Sequence, residues 1–260
     1  MAGAALHGRL TWLAAEVVAI VEETRHVHSV ELRVPGWQGH LPGQHVDVRL
    51  TAEDGYQAQR SYSIATPEQG ESLTITVELV EDGEVSPYLV EDLKVGDRFE
   101  LRGPIGGYFV WEPALGGPLQ LIAGGSGVVP LMCMTRALAI ASSAVASSAI
   151  ANSAIPARLL LSARSWEEVI YRDELKLVAE QVSSLEVHYT LTRSQPQGWT
   201  GYSRRVDADL LAEAVWPAGD KPLIYVCGPT GFVETVASGM IELGHHPENV
   251  KTERFGPTGG

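Results

Sequence analysis

The stretch IAGGSGVVP, residues 122–130, lies between a short apolar segment and a run of residues compatible with a helix. Its three glycines let the backbone approach an anion closely, because no Cβ stands in the way. The first N–H groups of the following helix have no partner within the helix and can donate to that anion. Pro130 suits the first helical turn, where its missing N–H costs nothing. Strand, glycine turn and helix start together predict a phosphate-binding loop.

After Pro118, strand-like and helix-like segments alternate. Strands are predicted at 119–123, 158–163, 185–191, 222–227 and 250–255. Helices are predicted at 128–142, 171–183, 207–215 and 230–243. This βαβ rhythm is typical of a parallel sheet with helices on both faces.

Before Pro118, the chain turns often between short segments that alternate in polarity. Strands are predicted at 27–34, 45–50, 60–65, 72–79 and 98–102, with Gly- and Pro-rich turns between them. This spacing favours an antiparallel barrel or sandwich. The segment EPALGGP, 112–118, predicts the domain boundary. We therefore expect two domains, an antiparallel β domain over 1–115 and a parallel-sheet α/β domain over 116–260.

The 260 residues carry a formal net charge of −13, which argues against nucleic acid or an anionic membrane as main partner. The acid is concentrated in residues 1–115, which hold 8 Lys and Arg against 18 Asp and Glu. No run of about 18 apolar residues appears, so no membrane span is expected.

The two cysteines, Cys133 and Cys227, are too few to hold an iron–sulfur cluster or a zinc ribbon by themselves, so no metal site is expected. They could form one disulfide. The cofactor-like motifs nevertheless favour a reducing cytosol, and we expect a cytoplasmic protein.

The tetrapeptide RSYS, residues 60–63, offers three kinds of contact to a cofactor. Arg60 has a guanidinium fork for a phosphate, and Tyr62 has a flat face for an aromatic ring. Ser63 has a small hydroxyl, on the opposite face of the strand from Arg60 and Tyr62. In isolation, the same residues also describe an ordinary strand.

Two further motifs place polar groups at helix starts. GEVSPYL, 83–89, predicts a helix with Ser86 as its N-cap and free N–H groups for a phosphate; a capped helix without a ligand is the alternative. YVCGPTGF, 225–232, ends a strand at Cys227 and begins a helix. Ligands bind at the carboxyl ends of strands in open α/β sheets, so Cys227 is placed to face one. An inert core position is the better interpretation for Cys133.

These motifs together resemble the ferredoxin–NADP reductase superfamily over residues 12–260. PGQ (42–44), RSYS, GEVS, GPIGGYF (103–109), AGGSGVVP, YRDEL (171–175) and CGPTGF occur in that family's order and spacing. The resemblance implies a flavin-binding β-barrel over 1–115 and a nicotinamide-nucleotide-binding α/β domain over 116–260. FAD is favoured over FMN, because the GEVS turn matches the form that holds a pyrophosphate.

The resemblance also implies the cofactor-binding residues. The flavin and its phosphates would be held by Arg60, Ser61, Tyr62, Ser63, Val77, Val85 and Ser86. The nicotinamide dinucleotide would be held by Gly124, Gly125, Ser126, Gly127, Gly228 and Pro229. Phe255, which GPTGG follows here, would either cover the flavin ring or belong to the core.

Three residues map onto the family's site of hydride transfer: Ser63, Cys227 and Glu253. The task of such a site is to hold the nicotinamide against the flavin, so catalysis is mainly positioning. Glu253 and Ser63 are expected to relay a proton. A surface carboxylate paired with Arg254 is the alternative for Glu253.

Coenzyme choice depends on the charge near the adenosine ribose, where a 2′-phosphate favours arginine and a free 2′-OH favours a carboxylate. Ser162 and Arg164 end one predicted strand, and Thr192 and Arg193 end the next, which resembles the family's 2′-phosphate site. NADP is therefore favoured, with NAD as the alternative.

The predicted activity is an oxidoreductase that passes electrons from NADPH or NADH through FAD to a separate acceptor. A ferredoxin or an oxygenase iron–sulfur protein is the expected partner. An acidic ferredoxin would need a local basic patch, for which Arg204, Arg205 and Arg254 are candidates. The alternatives are a reductase of free flavin, quinone or another small acceptor, and a non-catalytic electron-transfer subunit.

A pentapeptide repeat, ASSAV-ASSAI-ANSAI at 141–155, fits neither the helix nor the strand period. It predicts a low-complexity extension of a helix or its exit loop.

Overall fold

The computed structural model describes residues 10–146 and 154–255. The N-terminal part forms a six-stranded antiparallel sheet. Its strands are β1 (Leu13–Thr24), β2 (Val27–Arg33), β3 (His45–Thr51), β4 (Gln57–Ser63), β5 (Ser72–Glu78) and β6 (Arg98–Ile105). They lie in the order β4-β3-β6-β1-β2-β5, and an isolated antiparallel bridge between Ile64 and Ile75 links the two edges of the sheet. The predicted antiparallel β domain is confirmed.

The strand β1 is the longest in the sheet, with 12 residues, yet its sequence LAAEVVAIVEET does not predict a strand. Its pairing with β2 shifts register between Val17 and Ala19 and again between Glu22 and Thr24. Each irregularity moves the following side chains to the other face, which interrupts the period of two. A search for alternation therefore misses this strand.

The C-terminal part forms a five-stranded parallel sheet, and this prediction is also confirmed. Its strands are β7 (Leu119–Gly124), β8 (Ala157–Ala163), β9 (Leu185–Leu191), β10 (Leu223–Gly228) and β11 (Val250–Arg254). The helices are α1 (Val128–Ala146), α2 (Arg172–Gln181), α3 (Ala208–Ala214) and α4 (Thr230–Glu242). The order β11-β10-β7-β8-β9 reverses between β7 and β10, which is where ligands bind in such sheets.

The helical segment Gly125–Ala144, which consists of the turn before α1 and most of α1, is long and apolar enough to cross a membrane, with a mean hydropathy of 1.4. About 61% of that segment is buried inside the protein, where Leu131, Met132 and Met134 are fully enclosed. Its composition therefore follows from packing within the α/β domain. The helix is described as far as Ala146, and residues 147–153 of the pentapeptide repeat lie outside the described residues.

The two domains share an apolar interface. Val27 and Ala65 of the β domain belong to the same buried cluster as the core of the α/β domain. The connecting segment also contributes, because the Phe109 ring meets the Tyr225 ring edge-on at 5.3 Å between centroids. The Tyr225 hydroxyl donates to the Val110 carbonyl at 2.7 Å. These contacts fix how the domains face each other.

Candidate active site

In the glycine loop after β7, packing requires glycine at one position, while another position faces empty space. A Cβ at Gly127 would overlap the carbonyl group of Cys227, so only glycine fits there. Gly125 has a φ of +56°, which favours glycine, and nothing lies within 4 Å of where its Cβ would be. The loop therefore packs on β10 on one side and leaves room for a ligand on the other.

A cleft of about 540 Å³ opens beside this loop. The α/β domain lines it with residues that include Gly124, Gly125, Ser126, Ser162, Arg164, Glu168, Thr192, Arg205, Pro229 and Phe232. The β domain contributes Thr24, His26, Val27 and Glu78. A volume of several hundred Å³ is typical of small-molecule and cofactor sites. Most residues that the sequence assigned to the nicotinamide nucleotide meet here, while Gly127 and Gly228 are buried beneath the loop surface.

The arginines that line the cleft are not the pair that the sequence assigned to the 2′-phosphate of NADP. The exposed Arg193 does not line the cleft, although its backbone N–H donates to the Arg164 carbonyl at 2.8 Å. Arg205, a candidate for acceptor docking, lines the cleft instead. Its neighbour Arg204 pairs with Glu213 at 2.8 Å. The cleft thus holds Arg164 and Arg205 as its cations, with Glu168 as a nearby carboxylate.

On the flavin side, the RSYS strand and the GEVS turn come together. One terminal nitrogen of Arg60 pairs with Glu84 at 2.8 Å, and Glu84 also accepts a hydrogen bond from the Tyr56 hydroxyl. These bonds from Tyr56 and Arg60 lower the pKa of Glu84. A diphosphate that binds Arg60 has to compete with this carboxylate.

The N-cap assignment of Ser86 is wrong. Its hydroxyl accepts from the Val80 N–H at 3.0 Å and so closes the preceding turn. No side chain caps the short π-helical segment Tyr88–Asp92 that follows. The Ser86 hydroxyl bonds to the turn that precedes the helix, so it does not cap the first turn of the helix.

The other assigned flavin residues differ in exposure. Val77 and Val85 are fully buried in the core of the β domain and support the site from beneath. The Ser61 hydroxyl donates to Asp47 at 2.6 Å. Tyr62 is half-buried, and burial raises the pKa of its hydroxyl.

Cys227 and Glu253 lie side by side on β10 and β11. The Ser63 hydroxyl and the Glu253 Oε2 atom are buried and have no hydrogen-bond partner among the described residues. Burial raises the pKa of Glu253 to about 7. Burial, and then the nearby Glu253 carboxylate, raise the pKa of the Cys227 thiol well above its usual value. Unpaired buried polar atoms are costly, so these two atoms are suited to bonding a polar ligand.

The alternative for Glu253, a surface carboxylate paired with Arg254, does not match the structure, because the Glu253 Oε2 atom is enclosed and unpaired. Arg254 is exposed and donates to the Thr252 hydroxyl at 3.3 Å. Phe255 is partly buried against the core shared by the two domains, and its N–H donates to the Gly228 carbonyl at 2.9 Å. A role for Phe255 over the flavin ring stays a prediction.

These features fit the two cofactors that the sequence predicts. The open space at Gly125 and the cleft beside it suit a nucleotide, and the unpaired Ser63 and Glu253 atoms suit the polar edge of a ring. Arg60 offers the cation that a pyrophosphate needs. Within residues 10–146 and 154–255, no three His, Cys, Asp or Glu side chains are grouped to hold a metal ion.

Comparisons with known proteins point the same way. Residues 14–110 match the oxidoreductase FAD-binding domain, and residues 121–238 match the oxidoreductase NAD-binding domain. Ferredoxin–NADP reductase B of Sorangium cellulosum is 33% identical over 221 residues, which cover 82% of this chain and 84% of that protein. The glycine betaine monooxygenase reductase subunit of Chromohalobacter salexigens is 31% identical over 221 residues, covering 84% of this chain and 56% of that protein. The chain spans about half the length of the monooxygenase reductases that it matches.

Among solved structures, the FAD/NAD-binding domain of a Vibrio cholerae nitric oxide dioxygenase superposes with a TM-score of 0.79 at 25% identity. That match covers 94% of this chain and 99% of the other. Fold, site and matched domains define a two-domain oxidoreductase that binds FAD and a nicotinamide nucleotide. The chain belongs to the ferredoxin–NADP reductase family, whose members are NAD(P)H-dependent flavoproteins.

Proposed function

We propose that this protein transfers electrons from NADPH through FAD to a separate cytoplasmic iron–sulfur protein, either a ferredoxin or an oxygenase component. The observation that carries the proposal is the half-buried Glu253 beside Cys227 near the carboxyl ends of β10 and β11, where the enclosed Oε2 atom of Glu253 has no hydrogen-bond partner among the described residues. The relatives named as monooxygenase reductases support an oxygenase system as the destination of the electrons. Both cysteines are free and buried, which suits a reducing compartment.

FAD, when bound, accepts two electrons from a nicotinamide and can release them singly. The protein's part is to hold the reactants together and to manage protons. With a pKa of about 7, Glu253 is partly protonated near neutral pH and can give or take a proton. The Cys227 thiol stays protonated, so it acts by shape and packing and not as a nucleophile.

Anaerobic titration of the purified protein tests this proposal. We expect a yellow protein whose absorbance bleaches with one equivalent of NADPH, followed by reoxidation when a ferredoxin is added. Faster reoxidation by free flavin or quinone than by any ferredoxin would favour the small-acceptor alternative. A bound flavin that no nicotinamide nucleotide bleaches would indicate a non-catalytic subunit.

Coenzyme preference should depend on Arg164 and Arg205, the two arginines that line the cleft. Replacing either by alanine should raise the KM for NADPH about ten-fold and leave the KM for NADH nearly unchanged, because each can donate charge-assisted hydrogen bonds to a 2′-phosphate. Arg193→Ala is the matched control, since its side chain does not line the cleft. Equal changes in the KM for NADPH and for NADH, or a wild-type protein that prefers NADH, would contradict the NADP assignment. Glu168 would then be the candidate partner of the free ribose 2′-hydroxyl of NADH.

A further inference from the structure

The YRDEL motif, residues 171–175, has no part in the cofactor contacts described above. Its first residue, Tyr171, is fully buried and has a left-handed backbone with a φ of 58°. A bulky residue rarely adopts this conformation, which the surrounding contacts have to stabilise. The Tyr171 hydroxyl reaches out of its own domain and bonds to the Thr76 hydroxyl on β5 of the β domain.

A chain of hydroxyl groups continues from this contact into the β domain. The Thr76 and Ser29 hydroxyls lie 2.8 Å apart, and Ser29 donates to Glu23 Oε1 at 2.7 Å. Each hydroxyl has a single hydrogen, and Ser29 uses its own on the carboxylate. Thr76 must therefore donate to Ser29, and Tyr171 must donate to Thr76. The Glu23 carboxylate accepts the last hydrogen bond and thereby sets which hydroxyl donates in each of the other two.

Arg136 of α1 holds Tyr171 from the other side. It makes a two-point ion pair with Glu174 at 2.6 and 2.7 Å and lies over the Tyr171 ring at 5.0 Å from its centroid. It also donates to the Ala65 carbonyl of the β domain at 2.7 Å. Both limbs of this network thus cross from one domain to the other.

None of the network residues lines the nucleotide cleft, but close chain neighbours of four of them do. Four cleft-lining residues each fall within two positions of a network residue, namely Thr24 beside Glu23, Val27 near Ser29, Glu78 near Thr76 and Ile170 beside Tyr171. Val27 and Ser29 share one face of β2, and Thr76 and Glu78 share one face of β5. Because both domains line the cleft, its width depends on how this face of the β domain sits against α1 and α2.

We infer that the hydrogen-bonded chain from Tyr171 through Thr76 and Ser29 to Glu23 sets the spacing of the two domains and thereby the affinity for the nicotinamide nucleotide. Tyr171 is a positioning residue in this role, since it does not line the cleft. The inference rests on the proposed function in so far as that function requires a nucleotide in the cleft.

Tyr171→Phe tests this role, because it removes the hydroxyl and keeps the ring that packs under Arg136. We expect the Kd for oxidised NADP, measured by calorimetry on the FAD-loaded protein, to rise about five-fold, as for the loss of a single hydrogen bond. The FAD content should not change. The KM for NADPH should rise in parallel while kcat stays within about two-fold of wild type. Tyr189→Phe, which alters a half-buried tyrosine outside the network, is the matched control.

Thr76 provides a second test that does not depend on Tyr171. Thr76→Val breaks both of its hydrogen bonds and should weaken nucleotide binding, whereas Thr76→Ser keeps the hydroxyl and should restore it. The double variant Tyr171→Phe with Thr76→Val should be no weaker than Thr76→Val alone, because the two groups act through one chain.

Additive effects in the double variant, or a Kd in Tyr171→Phe equal to that of Tyr189→Phe, would overturn the inference. Neither result would touch the proposed function. Failure of the wild-type protein to bind NADP or NAD at all would contradict the proposed function first.

Discussion

Glu253→Gln is expected to slow the reduction of bound FAD by NADPH about 100-fold, at the lower end of what a positioned acid or base contributes. The variant removes the half-buried carboxylate and keeps its shape, so the FAD content and the Kd for NADP should be nearly those of wild type. Anaerobic stopped-flow absorbance gives the rate directly. Glu248→Gln, in the exposed turn before β11, is the control and should reduce at the wild-type rate.

The same carboxylate predicts how rate and stability respond to pH. With a folded-state pKa of about 7, the wild-type rate should change around pH 7, and this change should vanish in Glu253→Gln. Since this pKa is raised above its ordinary value of 4.5, the stabilising contribution of Glu253 is full below about pH 4.5 and is lost as the pH rises through about 7. The Tm of the glutamine variant should therefore exceed that of wild type by the equivalent of about 3 kcal/mol at pH 8 and of about 1 kcal/mol at pH 5.5.

A Tm difference that is the same at both pH values would show that Glu253 does not ionise in a buried environment. An unchanged rate of flavin reduction would remove Glu253 from the reaction and leave the binding of both cofactors untouched. Cys227→Ala complements this test, because a slower reduction there with intact FAD would reflect lost packing beside Glu253.

Arg60→Ala is expected to weaken FAD binding about 10- to 150-fold, the range for loss of a hydrogen bond to a charged group. In the structure, Arg60 pairs with Glu84, so the cofactor's phosphates have to displace or share that partner. Quenching of flavin fluorescence on addition of FAD to the apoprotein gives the Kd.

Two variants make the Arg60 result interpretable. Arg49→Ala removes another arginine of the β domain, one that pairs with Glu100, and should leave FAD binding intact. Glu84→Gln removes the competing carboxylate and should bind FAD as tightly as wild type or a few-fold more tightly. Full FAD affinity in Arg60→Ala would mean that the RSYS assignment is wrong.

The sequence alone determines the parallel sheet, the glycine loop and the part of the cleft that the ends of β7 and β8 line. Buried parallel strands are short apolar runs between helices, and the positive φ of Gly125 in the loop after β7 favours glycine for a local reason. The order of the motifs then indicates both cofactors. The strand β1 is not predicted in this way, because two irregularities in its pairing with β2 interrupt the alternation of apolar and polar residues that indicates a strand.

Only the tertiary structure decides the environment of the reactive groups. The pKa of Glu253 depends on burial at the carboxyl end of the sheet. Ser86 does not cap a helix, because its hydroxyl accepts a hydrogen bond from the Val80 N–H. Arg205 reaches the cleft while Arg193 does not. Each of these outcomes depends on which segments meet in space, because desolvation and hydrogen bonding act between neighbours that the linear order of residues does not specify.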